Sequence, residues 1–285
     1  MPYPSRMLAA RNLSPKKHMG QNFLVDPSTA EMIVRRAGVS SDRAAVEVGA
    51  GLGALTVPLA RCVKTLYAVE KDRDLIQVLG DVLSENGIDN AVLLNRSIFD
   101  IPIQDMAKAE NSKLILIGNL PYNISSQVVM WAIENRAWID KGVFMFQKEV
   151  ADRIAAAPGG REYGRLSVMV QYCARVRKIA RINANQFYPK PKVDSEVVEI
   201  SFEDPVLRPA ADETLFAAVV KAAFGQRRKT LKNSMAGASL GLGSRVSACL
   251  WEETAINPGR RAETLTVAEF VDLADSLKAC LNRFQ

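Results

Sequence analysis

The chain has 285 residues, of which 48% are hydrophobic, enough for one larger and one smaller domain and too apolar for a tail or a fibre. Its 37 Lys and Arg against 31 Asp and Glu leave a formal charge of +6, which permits a polyanionic partner without requiring one. Cys62, Cys173, Cys249 and Cys280 stand far apart with no CxxC pair, no run reaches the length of a bilayer, and no secretion signal opens the chain; the expectation is a soluble cytoplasmic protein with neither a disulfide framework nor a zinc site.

In chain order, the first segment dense in functional residue types is Lys16-Lys17-His18-Met19-Gly20-Gln21-Asn22-Phe23-Leu24. A helix is predicted from Pro27 to Ala37, where Asp26 and Ser28 supply a cap, Pro27 suits the first turn, and Ala30, Ile33, Val34 and Ala37 share a face. Short apolar runs follow at Ala44–Val48, Leu66–Val69, Ala91–Leu94, Leu114–Ile117, Val143–Phe146 and Val168–Tyr172, and Glu196–Phe202 alternates as a strand does. Their interleaving with helical stretches predicts an α/β sheet covered on both faces. Gly159–Gly164 reads as an exposed loop, and from Ala211 onward Leu215, Phe216, Val219, Val220 and Ala223 form a helical stripe. The expected division is therefore a domain over 1–206 and a smaller helical one over 207–285.

Val46-Glu47-Val48-Gly49-Ala50-Gly51-Leu52-Gly53 sets a glycine-rich turn after a buried strand, with a helix beginning within Leu55–Leu59 and Glu70 at the end of the next strand. Glycines there let backbone approach a ligand, and the Glu70 carboxylate can accept both hydroxyl hydrogens of a ribose. Gly49, Gly51 and Gly53 also match the core of a nicotinamide-dinucleotide turn, so that cofactor class stands as an alternative. Asn119-Leu120-Pro121-Tyr122 follows the apolar run from Leu114, placing an amide, a turn and an aromatic plate at the mouth of a buried strand. A nucleobase fits that set: its exocyclic N–H groups meet the Asn119 side-chain oxygen and the Leu120 carbonyl while its face rests on Tyr122. Phe224-Gly225-Gln226-Arg227-Arg228-Lys229-Thr230-Leu231-Lys232 is the densest charge run. It reads equally as a solvated helix face or a phosphate contact, and Arg175, Arg177, Lys178 and Arg181 add a second basic cluster, from which a positively charged cleft between the domains is expected.

On these motifs nearly the whole chain resembles the ribosomal RNA adenine N6,N6-dimethyltransferases. The resemblance implies a Rossmann-like class I methyltransferase sheet with helices on both faces, plus a smaller C-terminal helical domain. It implies S-adenosylmethionine as methyl donor, no metal, and two adjacent adenosines near the 3′ end of 16S RNA, in an immature small subunit, as substrate of a monomeric enzyme. Gln21, Asn22 and Leu24 would close over the cofactor, Gly49 and Gly51 form its turn, Glu70 holds its ribose, and Asn119 touches both cofactor and target. Phe187, before Tyr188-Pro189-Lys190-Pro191, would cover the face of the base opposite Tyr122. The family's usual Asp at the cofactor adenine is replaced here by Ser97, with Asp100 as the alternative donor partner, and weaker adenine recognition is expected. The FGQRRKTL stretch favours this family over the resistance methyltransferases that modify 23S RNA. An RNA-binding assembly factor on the same fold is the non-catalytic alternative.

Overall fold

The computed structural model describes residues 3–202, 208–236, 240 and 242–284. These residues fall into two compact units, one from 1–151 and 176–203, the other from 152–175 and 204–285. The division expected between 206 and 207 lies outside the described residues. The second unit also takes in 152–175, which the expected division places in the first domain.

The first unit runs α1 (Pro4–Ala9), β1 (Phe23–Leu24), α2 (Pro27–Ala37), β2 (Ala44–Val48), α3 (Thr56–Ala60), β3 (Thr65–Val69), α4 (Arg73–Glu85) and β4 (Ala91–Leu94). It continues with α5 (Ile103–Ala109), β5 (Leu114–Asn119), α6 (Ser125–Glu134) and β6 (Ile139–Gln147). After α7 (Lys148–Ile154) and α8 (Arg165–Cys173), the chain returns as β7 (Arg175–Ile182), β8 (Phe187–Tyr188) and β9 (Ser195–Ser201). The remaining helices are α9 (Glu213–Ala223), α10 (Leu231–Ala236), α11 (Ser244–Glu253) and α12 (Val267–Phe284).

The seven-stranded sheet has the order β4-β3-β2-β5-β6-β9-β7. The strands from β4 through β6 pair in parallel, and β9 joins β6 antiparallel. Parallel strands need crossovers that place helices on the faces, so β2 and most of β5 are buried throughout. Ala45, Leu66, Ile115, Ile117, Val143 and Val197 pack with Ile33, Val34 and Leu59 of α2 and α3, while Ala68 packs with Leu79 and Leu83 of α4. The strand order reverses at β2, between β3 and β5, and in such sheets ligands bind beyond the carboxyl ends of the strands at that switch.

Local chemistry explains the element ends. Asp26 caps α2 by accepting from the Ser28 N–H at 3.0 Å, and Gly38 ends the helix. Asp72 caps α4 by accepting from the Asp74 N–H at 3.1 Å.

Two sequence expectations are corrected here. Val168–Tyr172 lies in α8, not in a strand, because the Ser167 hydroxyl accepts from the Gly164 N–H and starts a helix whose apolar run fits either period. Cys249 and Cys280 are joined by a disulfide, since α11 and α12 pack together and bring their Cα atoms to 6.0 Å. Among the described residues no helix is long and apolar enough to cross a membrane.

Candidate active site

A cavity of about 530 Å³ opens in the first unit, lined by the turn after β2, the ends of β3 and β5, the Ser97 loop and residues 18–24. Gly49 and Gly51 take φ of +74° and +56°, and a Cβ on Gly51 would stand 3.3 Å from the Phe23 ring, so this turn requires glycine. The Glu70 carboxylate, at the end of β3, accepts from the Gly51 N–H at 2.9 Å and the Asp72 N–H at 2.8 Å. Burial raises its pKa while those two backbone donors oppose the rise. Both oxygens are thereby oriented and keep lone pairs for a further donor.

Glu47, which has no assigned role in the sequence motif, is almost wholly removed from water. It is 2% exposed, lines the cavity, and has one oxygen without a hydrogen-bond partner. Burial pushes its carboxyl up to about 8, with the Thr56 hydroxyl opposing and the Glu70 charge adding to the rise. The signal was legible: an acid inside an otherwise apolar strand must be either paired or waiting for a donor.

On the opposite wall, the Asn119 Nδ2 donates to the Asn22 carbonyl at 2.7 Å. That bond fixes the amide so that Oδ1 is the remaining acceptor. Leu120 and Tyr122 line the same wall; the Tyr122 ring is half-buried and burial raises its phenol pKa. Asn22 closes its own turn by donating from Nδ2 to the Gly20 carbonyl, and Leu24 is buried beside it. His18, Gln21 and Ser97 also line the cavity, and the Ser97 hydroxyl accepts from the Phe99 N–H at 3.4 Å. The sequence reading missed Arg96, Phe99 and Gln127, which line it too; Phe99 is an exposed aromatic beside Ser97, a signal that went unused.

Of the expected site residues, Gln21, Asn22, Leu24, Gly49, Gly51, Glu70, Ser97, Asn119, Leu120 and Tyr122 come together around this cavity. Phe187 does not. It is 3% exposed, sits opposite Leu24 in the β1–β8 pair, and packs in the core with Ile182 and Val197. Asp100 is exposed and absent from the lining, whereas Ser97 is part of it. In the basic cluster on β7, Arg177 pairs with Glu199, Lys178 with Glu196 and Arg181 with Asp194, acids on and beside β9.

The donor set fits a nucleoside cofactor carrying a cationic amino-acid arm. Glu70 suits a diol, the buried Glu47 oxygen lacks a donor, and apolar side chains such as Leu24, Leu52, Leu75 and Ile98 alternate with polar ones such as Asn22, Ser97 and Asn119 around the rest of the wall. The sheet order, the glycine turn after β2 and the acid after β3 define a class I methyltransferase. The sequence profile of the ribosomal RNA adenine dimethylases matches residues 12–279, and the chain belongs to that family. It is 48% identical over 277 residues to the ribosomal RNA small subunit methyltransferase A of Desulforapulum autotrophicum, covering 97% of each chain. The protein of the same name from Xylella fastidiosa is 40% identical over 265 residues, with 93% of this chain and 97% of that one covered. Two solved structures share the fold at 24% identity: a dimethyladenosine transferase from Plasmodium falciparum, with a TM-score of 0.72 over 88% of this chain and 95% of that one, and the 23S rRNA methyltransferase ErmE, at 0.66 over 90% and 99%.

Proposed function

We propose that the protein transfers methyl groups from S-adenosylmethionine to N6 of two adjacent adenosines near the 3′ end of 16S ribosomal RNA, giving N6,N6-dimethyladenosine during small-subunit maturation. Bound S-adenosylmethionine supplies an activated methyl group, so the chain's own task is to bind, orient and exclude water. Glu70 accepts from the cofactor's ribose hydroxyls, Ser97 from its adenine amino group, and Asn22, Leu24 and the Gly49–Gly51 turn enclose it. No protein nucleophile or metal enters this reading.

The observation that carries it is the Asn119 amide, whose Nδ2 is fixed on the Asn22 carbonyl and whose Oδ1 is left to accept. With the Leu120 carbonyl, Oδ1 receives the N–H groups of the target amino nitrogen and draws it toward tetrahedral geometry, which frees a lone pair otherwise shared with the ring. An amide is no general base at neutral pH, so Asn119 acts by orientation and electrostatics. Tyr122 stacks on the base, a contact contributing about 1–3 kcal/mol. A singly methylated adenine keeps one N–H for Asn119, consistent with a second transfer.

The second unit supplies candidate phosphate contacts. Arg227 is held by Glu263, whereas Arg165, Arg228, Lys229, Lys232 and Arg261 are exposed without an ion-pair partner among the described residues. The names of the relatives support a small-subunit RNA as substrate, and we take the enzyme to act as a monomer, in the cytoplasm, on an immature subunit. Asn119→Ala tests the reading: calorimetry should find S-adenosylmethionine still bound, while methyl transfer falls by about a hundredfold or more. Near-normal turnover would remove Asn119 from its role.

A further inference from the structure

Residues 16–24 form a strap of which 18–24 line the cavity, and it is fastened to two walls. On one side, the Asn119 Nδ2 holds the Asn22 carbonyl and the Asn123 Nδ2 holds the His18 carbonyl at 3.4 Å. On the other, everything converges on Asp72, a buried carboxylate just past the end of β3. Lys16 Nζ donates to Asp72 Oδ1 at 2.7 Å and to Asp74 Oδ2 at 2.8 Å, and Gln21 Nε2 donates to Asp72 Oδ2 at 2.8 Å. The Lys16 backbone N–H donates to Gln21 Oε1 at 2.7 Å, closing the ring of contacts. The Asp72 N–H in turn donates to Glu70 Oε1, the carboxylate assigned to the ribose.

This arrangement leaves Gln21 little to offer a ligand. Its amide nitrogen is engaged by Asp72 and its amide oxygen by Lys16, although its side chain borders the cavity. The Lys16 side chain is 34% exposed and that of Asp72 only 3%, so the pair is partly shielded from water and its attraction is screened less than that of a surface pair. Lys16 and Asp72 both stand outside the lining, yet they hold the segment that forms part of it.

We propose that Lys16, Gln21 and Asp72 form a latch that holds the strap closed over the cofactor and ties that closure to the orientation of Glu70, so that they are positioning residues governing cofactor release. The inference rests on the cofactor reading of this cavity given above. A latch differs from a ligand in what its loss changes. Removing a ligand weakens contacts to the cofactor directly; opening the latch speeds escape, and because its strength is charge-based the escape becomes salt-dependent. In the intact protein, release should accelerate with ionic strength, and that dependence should vanish when the charge on Lys16 is gone.

The experiment is stopped-flow dissociation of S-adenosylmethionine from the full chain at increasing ionic strength, for wild type, Lys16→Met, Lys16→Arg and Gln21→Glu. Lys16→Met should release the cofactor about tenfold faster with a flat salt response, and its KM for the cofactor should rise more than its kcat falls. Lys16→Arg should restore slow release, and Gln21→Glu, which sets a second carboxylate against Asp72, should open the strap as Lys16→Met does. Unchanged release in Lys16→Met, or faster release that keeps its salt dependence, overturns the latch. If the wild type binds no S-adenosylmethionine, the cofactor reading fails instead, and hydrogen exchange decides the latch on its own. Faster exchange of the amides of 17–24 in Lys16→Met supports it, and unchanged exchange overturns it.

Discussion

At Glu47 the chain keeps a carboxyl out of water with one oxygen lacking a donor, and burial pushes its pKa up to about 8. An acid raised in the folded state holds a proton that the unfolded chain has already released, so folding is weakened as pH rises from the unfolded value of 4.5 through about 8. Burial raises Glu70 in the same direction. For the cofactor-free protein, Glu47→Gln should flatten the fall of Tm across that window and raise Tm most at its alkaline end. A wild-type slope in the variant would show that the carboxyl is solvated or paired. Ser97 presents a hydroxyl at the cavity where a carboxylate would accept more strongly from an amino group. Ser97→Asp should therefore tighten S-adenosylmethionine binding by about three- to tenfold in calorimetry, while Asp100→Ala should leave it alone. Equal affinity in wild type and Ser97→Asp would place the adenine elsewhere.

The elements that hold these residues meet closely. A Cβ on Gly118, in β5, would lie 2.5 Å from the Val48 carbonyl oxygen and 3.1 Å from the Val48 Cβ, so the neighbouring strands that carry the glycine turn and Asn119 approach only because this residue has no side chain. Gly118→Ala should lower stability by about 1–3 kcal/mol in urea unfolding and disturb Asn119 one residue on; an unchanged midpoint would mean that the strands separate at little cost. Much of this architecture could be read from residue order. The Pro27–Ala37 helix carries its cap, proline and stripe in sequence, and Ala44–Val48 and Leu114–Asn119 are apolar enough to mark buried parallel strands. With one exception, what could not be read depended on partners distant in the chain. Val168–Tyr172 has an apolar run that suits either period, and its helix is set by Gly164 and Ser167. The cations of β7 looked available until β9 arrived with its acids, and Cys249 meets Cys280 across 31 residues only when α11 packs on α12. The core packing of Phe187 likewise depends on its pairing with β1, which lies far off in the chain.

For the whole molecule, the family extends across both units, since its profile covers residues 12–279. The first unit contains the cavity and every residue assigned to cofactor and base; the second contributes exposed cations to a knitted surface, where the Leu231 N–H donates to the Arg260 carbonyl and the Gly159 N–H to the Glu263 carbonyl. In the proposed function such cations would position a phosphate backbone, and the shape of a folded RNA would select the adenosines that are methylated. On that reading specificity between ribosomal RNAs would belong to the full chain, and it is tested by offering substrates side by side. The measurement is transfer of labelled methyl groups from S-adenosylmethionine to unmethylated small ribosomal subunits and, separately, to unmethylated 23S RNA, followed by nucleoside analysis. We expect N6,N6-dimethyladenosine at two neighbouring positions near the 3′ end of 16S RNA and none in 23S RNA. Label confined to 23S RNA, or no label in either, would contradict the assignment.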